Sequence, residues 1–334
     1  MIFITGTNGL LGSYLAKKLL KQGKQVRGLK RITSDLSLLG EYASQIDWIT
    51  GDILDVTSLE EAMDGIEEVY HCAAVISFAS HEADVMLKTN IEGTANVMNA
   101  ALVAGVKKVV HVSSIAAFGI HKPDKVIDEK TDYAEQKDMP NYYRSKQLAE
   151  REAWRAQAEG LNVVVANPGI ILGAGKWDME PNSVFRDVYA GLPFYTNGMN
   201  SFVDVRDVVD CLILLMEKGA NGEQYIIHGD NLSFKDLLQK IAVALGKRKP
   251  SFAVSDSLAK VAVVFEWLKA KVTGKRQLLT PEMARLVNKE FRYTNQKIVR
   301  DFGFQFRPID ETIEDTARVF LQSKKEGKHF GVFQ

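Results

Sequence analysis

Through the first half of the chain, short runs of β-branched and apolar residues alternate with longer stretches of helical periodicity. The runs are IFIT from residue 2, QVRGL from 25, IDWIT from 46, EVYHCAAV from 68, KVVHVSS from 108 and NVVVANP from 162. Apolar runs of this length, bounded by turn residues and separated by segments with a period near 3.6, predict repeated β-α-β units and an α/β fold on a parallel sheet. Right-handed crossovers put helices on both faces, so the sheet is expected to be doubly wound. Thr57 with Glu60 predicts a capping box, and an amphipathic pattern predicts a long helix over 82–104.

After Pro168 the alternation stops. Residues 169 to about 201 carry many Gly, Pro, Asn and aromatic side chains and read as a loop-rich insertion. A helix over 206–217 and the strand EQYIIH return to the sheet. Beyond Gly229 the pattern is mostly helical, with starts at Ser233, Thr280-Pro281 and Asp310. The expected organisation is two interleaved units: 1–168 with 203–228 as the sheet domain, and 169–202 with 229–334 as a smaller, mainly helical substrate domain. A length of 334 residues suits two compact units.

Composition narrows the function by exclusion. The 42 basic and 42 acidic residues cancel, so no long-range field attracts nucleic acid or an anionic membrane. Cys72 and Cys211 both sit in apolar runs and read as small buried hydrophobes, not as a disulfide framework. No basic leader precedes MIFITG, and no apolar run approaches the ~20 residues that span a bilayer. The expectation is a soluble, cytoplasmic protein. His71, His81, His111, His121, His228 and His329 show no metal-ligand spacing, and no metal is expected.

Gly6, Gly9 and Gly12 follow the first strand and open a helix, in the run Thr5-Gly6-Thr7-Asn8-Gly9-Leu10-Leu11-Gly12. Glycines in that order permit a tight turn and bring backbone amides close to a pyrophosphate at the positive end of a helix. Without a ligand, the same residues make only a strand-to-helix turn. At the end of the second strand, where NAD-binding folds commonly place an acid for the ribose 2′-hydroxyl, the run reads VRGLKR. Lys30 and Arg31 there favour a 2′-phosphate and hence NADP(H), with NAD left open. A solvated basic strand end is the plainer alternative.

Tyr142 and Lys146 in Tyr142-Tyr143-Arg144-Ser145-Lys146 share one helix face. A phenol near pKa 10 is a poor acid or base at neutral pH, and bringing it to about 7 needs roughly 4 kcal/mol of preferential phenolate stabilisation. A neighbouring ammonium, together with an oxidised nicotinamide, is expected to give that help.

The motif Thr5-Gly6-Thr7-Asn8-Gly9-Leu10-Leu11-Gly12, the Tyr142/Lys146 pair and Val112-Ser113-Ser114-Ile115-Ala116-Ala117-Phe118-Gly119 together resemble the extended short-chain dehydrogenase/reductases. The closest branch is the dihydroflavonol reductase and 3β-hydroxysteroid dehydrogenase group, and Phe118 departs from that family in standing where a tyrosine is usual. The resemblance implies a Rossmann-type sheet and an NADP(H)-dependent oxidoreductase acting on a small-molecule ketone, aldehyde or alcohol. It assigns Ser114 to the substrate oxygen, with Ser113 as the alternative, Tyr142 to proton transfer, Lys146 to the ribose and Asn90 to a structural or relay role. It also implies cofactor contacts from Asp52 and Ile53 near the adenine, from Ala73 and Ala74 in the turn after the fourth strand, and from Pro168. A homodimer through the helices near 82–104 and 140–159 belongs to the same expectation.

Two other readings use the same residues: a nucleotide-sugar epimerase or dehydratase that keeps its cofactor bound, and a non-catalytic dinucleotide sensor. Nucleotide-sugar relatives resemble one another in an arginine just before the segment that here reads Phe202-Val203-Asp204-Val205-Arg206-Asp207. Asn200-Ser201 stands in its place. Trp177, Phe185, Tyr189, Phe194, Tyr195 and Phe202 offer aromatic surface for an apolar substrate pocket, or else the core of the smaller domain.

Overall fold

The structure is a computed structural model that describes residues 1–134, 139–273 and 280–333. The first half forms β1 (Ile2–Thr5), α1 (Leu10–Lys21), β2 (Val26–Lys30), β3 (Asp47–Thr50), α2 (Val56–Met63), β4 (Glu68–His71), α3 (Ala83–Val103), β5 (Lys108–Val112), β6 (Val126–Ile127), α4 (Asn141–Ala158) and β7 (Val163–Pro168). Then come β8 (Ile170–Leu172), α5 (Ser183–Tyr189), β9 (Phe194–Tyr195), β10 (Met199–Asp204), α6 (Val205–Lys218), β11 (Gln224–Ile227), β12 (Asp230–Ser233) and α7 (Phe234–Ala244). The chain closes with β13 (Phe252–Ala253), α8 (Asp256–Thr273), α9 (Pro281–Ala284), β14 (Arg292–Tyr293), α10 (Gln296–Phe302) and α11 (Ile309–Lys325).

Seven strands make one sheet in the order β11-β7-β5-β4-β1-β2-β3, and every neighbouring pair is parallel. Successive strand residues point to opposite faces, and both faces are buried here. Ile2, Ile4, Val110 and Val164 pack with Leu11, Leu15 and Leu19 of α1 and with Val208, Leu212 and Leu215 of α6. Phe3, Val109, Val163 and Val165 pack with Leu59 and Met63 of α2, Val97 and Ala101 of α3, and Ala153 and Ala156 of α4. The near-continuous apolar runs of the sequence reflect this double coverage. Strand order reverses between β1 and β4, and open α/β sheets bind ligands at the carboxyl ends beside such a reversal.

The capping box expected at Thr57 is displaced: Asp55 caps α2, and its carboxylate accepts from the Thr57 amide at 3.2 Å. Ser233 and Thr280 do cap α7 and α9 through the amides of Asp236 and Met283. Asp310 lies inside the first turn of α11, one residue beyond its start, where it pairs with Lys240 at 2.6 Å.

Residues 169–201 differ most from the loop-rich expectation, because they contain β8, α5, β9 and the first half of β10. β10 runs parallel to β8 and antiparallel to β12, some thirty residues later in the chain. Such short strands gain stability from distant partners, and local turn signals do not reveal them. The aromatic residues of this stretch also change role. Trp177, Phe185 and Phe202 are buried in a core with Leu237 and Ile241 of α7 and Ile313 and Phe320 of α11. Trp177 and Tyr189 both meet the Phe320 ring edge-on. Only Phe194, tilted against Phe252, is exposed.

The Phe202–Asp207 segment is a structural joint. Asp204 caps α6 through the Arg206 amide at 2.7 Å, and its carboxylate also takes the Arg206 guanidinium and the Thr312 hydroxyl. Arg206 reaches on to Asp315, and its guanidinium covers the Phe333 ring. The C-terminal helix is thereby fastened to the second sheet.

Candidate active site

At the carboxyl end of β1 the chain turns through Gly6, whose φ of +69° is the left-handed region that favours glycine. A Cβ at Gly6 would come within 2.8 Å of the Ala73 nitrogen, and one at Gly12 would stand 2.2 Å from the Gly6 carbonyl oxygen. The turn therefore closes only with glycine at both places. Thr7 locks it by donating to the Ile4 carbonyl at 2.6 Å. Gly9 begins α1 without a side-chain cap and without an acid in the first turn, so the first amides and the positive helix end are left for an anion. Asn8, Leu10 and Leu11 complete this rim, with Leu11 buried and the other two half-buried.

Under the turn lies a chain of buried polar groups. The Ala73 amide donates to Thr5 Oγ1, which lies 2.7 Å from His71 Nδ1 and donates to it when the ring is neutral and protonated at Nε2. His71 Nε2–H in turn donates to Thr94 Oγ1, and Thr94 donates to the Asn90 carbonyl. This assignment needs a neutral imidazole. Burial agrees, pushing the His71 pKa down to about 3. Asn90 clamps the next stretch: its amide group bonds both the nitrogen and the carbonyl of Val75 and also Ser145 Oγ. Ala74, between these anchors, is exposed at the switch point.

The proton-transfer residues sit across the cleft. Ser114 follows β5 and caps a short 3-10 turn by accepting from the Ala116 amide at 3.1 Å. The Tyr142 hydroxyl pairs with the Ser114 hydroxyl; burial raises the phenol pKa, and the serine bond draws it back. Lys146 lies one helical turn further along α4. Its ammonium turns to the Val112 carbonyl at 3.0 Å and is itself pushed down to about 8 by burial, with Glu150 and Cys72 opposing that fall. Phe78 lies 5.4 Å from the Tyr142 ring and gives the site an aromatic wall.

Toward the far end of the cleft, Lys30 closes β2 with its ammonium 5.3 Å from the centre of the Trp48 ring. Arg31 is exposed, and its amide donates to Ser34. Asp52 turns its carboxylate to the Leu54 amide, and Ile53 is buried against Gly93 of α3. Pro168 ends β7, paired with Ile227. The cleft thus presents uncapped helix amides in the middle, cations at one end and hydroxyl and ammonium groups at the other. An extended diphosphate carrying two nucleosides fits that sequence of donors.

Sequence reasoning missed Glu150 and Asn167, which are buried behind Lys146, and the half-buried Tyr133 that bonds Glu150. The signal was there for Glu150: it repeats the four-residue spacing of Tyr142 and Lys146 along α4.

A glycine turn at the strand-order reversal, facing a tyrosine and lysine on one helix, defines a nicotinamide-dependent oxidoreductase. The chain belongs to the NAD dependent epimerase/dehydratase family, whose model matches residues 2–227. It is similar to a putative dihydroflavonol 4-reductase of Synechocystis sp., 29% identical over 329 residues that cover 95% of this chain and 94% of that one. Sterol demethylase protein B of Methylococcus capsulatus is 30% identical, with 90% and 92% covered. Cinnamoyl-CoA reductase 1 of Oryza sativa subsp. japonica is also 30% identical, with 96% and 90% covered. Among solved structures, that of gox2253 superposes with a TM-score of 0.83 at 30% identity, covering 98% of this chain and 99% of that one. Among the described residues, no helix is long and apolar enough to cross a membrane, and no cluster of three or more His, Cys, Asp or Glu is placed to hold a metal.

Proposed function

We propose that the protein is an NADP(H)-dependent reductase of a small to medium, apolar or aromatic ketone or aldehyde, or a dehydrogenase of the matching alcohol. The observation that carries the reading is the pairing of Tyr142 with Ser114 at the end of β5, with Lys146 one helical turn away. When bound, the nicotinamide would supply a hydride to the carbonyl carbon or, in the reverse direction, take one from the alcohol carbon. Ser114 orients the carbonyl oxygen, and Tyr142, held protonated by its raised pKa, donates the proton to it. Lys146, steadied on the Val112 carbonyl, holds the ribose. Asn90 acts structurally, by fixing the Val75 stretch against Ser145.

NADP(H) preference rests on Lys30 and Arg31 at the end of β2, which offer a 2′-phosphate two cations and no carboxylate. Gly6, Thr7, Asn8, Gly9, Leu10, Leu11 and Gly12 would cradle the pyrophosphate, with Asp52 and Ile53 at the adenine and Ala73, Ala74 and Pro168 along the nicotinamide half. The substrate class rests on Phe78 beside Tyr142 and on relatives named for a dihydroflavonol and a cinnamoyl thioester, both aromatic molecules. The buried aromatic residues around Phe320 no longer contribute to it. The division at 168/169, 202/203 and 228/229, a cytoplasmic location and a homodimer through α3 and α4 complete the proposal.

A nucleotide-sugar epimerase or dehydratase is the competing reading, since the family includes both. Against it, Asn200-Ser201 stands in the place of the diphosphate-binding arginine, with Ser201 buried and bonded to His228 Nδ1 at 2.8 Å. The test is NADPH oxidation with a panel of aromatic and aliphatic carbonyl compounds, beside calorimetry with UDP- and dTDP-sugars. Carbonyl turnover is expected. Micromolar sugar-nucleotide binding without carbonyl turnover would replace this reading with the epimerase one, and cofactor binding with neither would leave a sensor.

A further inference from the structure

Behind Lys146 lies a charged residue that the proposed chemistry leaves unused. Glu150 sits one helical turn further along α4 and is 0% exposed. A buried carboxylate is costly unless its oxygens are satisfied. Here the Tyr133 hydroxyl donates to Oε1, the Asn167 amide donates to Oε2 at 2.7 Å, and Trp154 Nε1 supports Tyr133 at 3.2 Å. Asn167 Nδ2 also reaches the Ser114 carbonyl at 3.2 Å. The backbone of residues 112–114 is consequently gripped twice, by Lys146 at the Val112 carbonyl and by Asn167 at the Ser114 carbonyl. Glu150 stands behind both grips.

The electrostatic surroundings of Lys146 give the same residue a second part. The titratable groups acting with it are Cys72 after β4, His71 on β4, His111 on β5 and Glu150 on its own helix. Burial keeps both histidines neutral and pushes the Cys72 thiol up to about 12. That leaves Glu150 as the carboxylate in the group, and its charge opposes the deprotonation of Lys146 that burial favours.

We propose that Glu150 is a positioning residue, whose carboxylate sets the Ser114 end of β5 through Asn167 and serves as the buried counter-charge of Lys146. The proposal rests on the reductase reading for its kinetic consequence, but not for its electrostatic one. Two readouts are therefore needed, applied to the full-length Glu150→Gln and Glu150→Asp variants. The first is turnover against pH. Glu150→Gln is expected to bind NADPH within about threefold of the parent, to lose roughly tenfold in kcat at neutral pH, and to move the alkaline limb about one pH unit lower. Glu150→Asp is expected to fall between the two. The second is the titration of Lys146 by NMR with isotope-labelled lysine, in protein without cofactor or substrate. Its midpoint should drop by about one pH unit in Glu150→Gln and by less in Glu150→Asp, which also serves should the glutamine variant not fold. An unmoved midpoint in the folded variants overturns the proposal whatever the substrate proves to be. A lowered midpoint in a protein that turns over no carbonyl supports Glu150 as counter-charge and overturns the reductase reading alone.

Discussion

The two ends of the candidate site are built from different material. The glycine turn is backbone: Gly6 and Gly12 leave no space for a Cβ, and α1 starts with no side chain over its amides. The proton-transfer end is made of side chains held by other side chains, with Tyr142 on Ser114, Asn167 on Ser114 and Glu150, and Asn90 on Ser145. A backbone-built end tolerates no added atom. A side-chain-built end tolerates changes of shape but not of protonation. Cofactor affinity and turnover should therefore respond to different substitutions.

The largest effect is expected at the second end. Tyr142→Phe keeps the ring against Phe78 and removes only the hydroxyl, so kcat should fall by about 10²- to 10⁴-fold. NADPH affinity should stay within a few-fold. Lys146→Met should damage both, because only the ammonium is assigned to the ribose. Steady-state kinetics with fluorescence titration separates the two, and near-normal kcat in Tyr142→Phe would remove the proposed proton donor.

Gly12→Ala tests the first end. The new methyl carbon would need the Gly6 carbonyl to retreat from 2.2 Å to ordinary contact, which opens the turn. Overpacking of this kind costs about 1–3 kcal/mol, or roughly ten- to a hundredfold in cofactor affinity if the strain falls on the bound form. Circular dichroism should show a folded protein. An affinity equal to the parent's would mean the turn is not where the pyrophosphate sits.

The cations at the end of β2 should matter less, since they set preference more than binding. Lys30→Asp with Arg31→Ala exchanges two charge-assisted contacts for a repulsion and should cut the NADPH-over-NADH preference by about tenfold or more. Lys30 rests on the Trp48 face, so oxidised NADP, which lacks the reduced ring that quenches tryptophan by energy transfer, should change Trp48 fluorescence more than oxidised NAD does. Equal responses to both cofactors would break the assignment.

Much of this was legible because it is local. The glycines sit within seven residues, and Tyr142 and Lys146 one helical turn apart, so chain geometry alone brings each set together. Their supports were not legible. Asn167 meets Glu150 from the next strand, Ser201 meets His228 across the second sheet, and the capping of α2 moved to Asp55 because its carboxylate was nearer the free amides. Trp177, Phe185 and Phe202 could not be told apart from pocket residues, because the cluster that buries them includes Ile313 and Phe320 of α11, more than a hundred residues on. Spacing exposes what one element does, and tertiary pairing decides the rest.

The buried histidines allow a smaller test: His71 and His111 lie on the neighbouring strands β4 and β5 at the site, and His228 lies outside both of its ends. His71 lies under the glycine turn, and His228 lies in the second sheet, where Asn231 donates to Nε2 and leaves Nδ1–H for Ser201. Burial lowers their pKa values to about 3 and about 4, from 6.5. Between pH 6.5 and those values the unfolded chain takes up a proton that the native fold refuses, so stability falls as pH falls, and nothing changes above 6.5. From pH 6.5 to 5.5 each such histidine should remove about 1 kcal/mol from the unfolding free energy. Glu150, with a pKa raised by burial, works in the opposite sense at lower pH and makes the net slope shallower there. Urea unfolding at pH 7.5, 6.5 and 5.5 reads the slope, and His228→Asn should reduce it by one histidine's share while leaving cofactor affinity intact. If the slope does not change, His228 is not held neutral in the fold; if cofactor affinity falls with it, the sheet of β8, β10 and β12 contributes to the dinucleotide site.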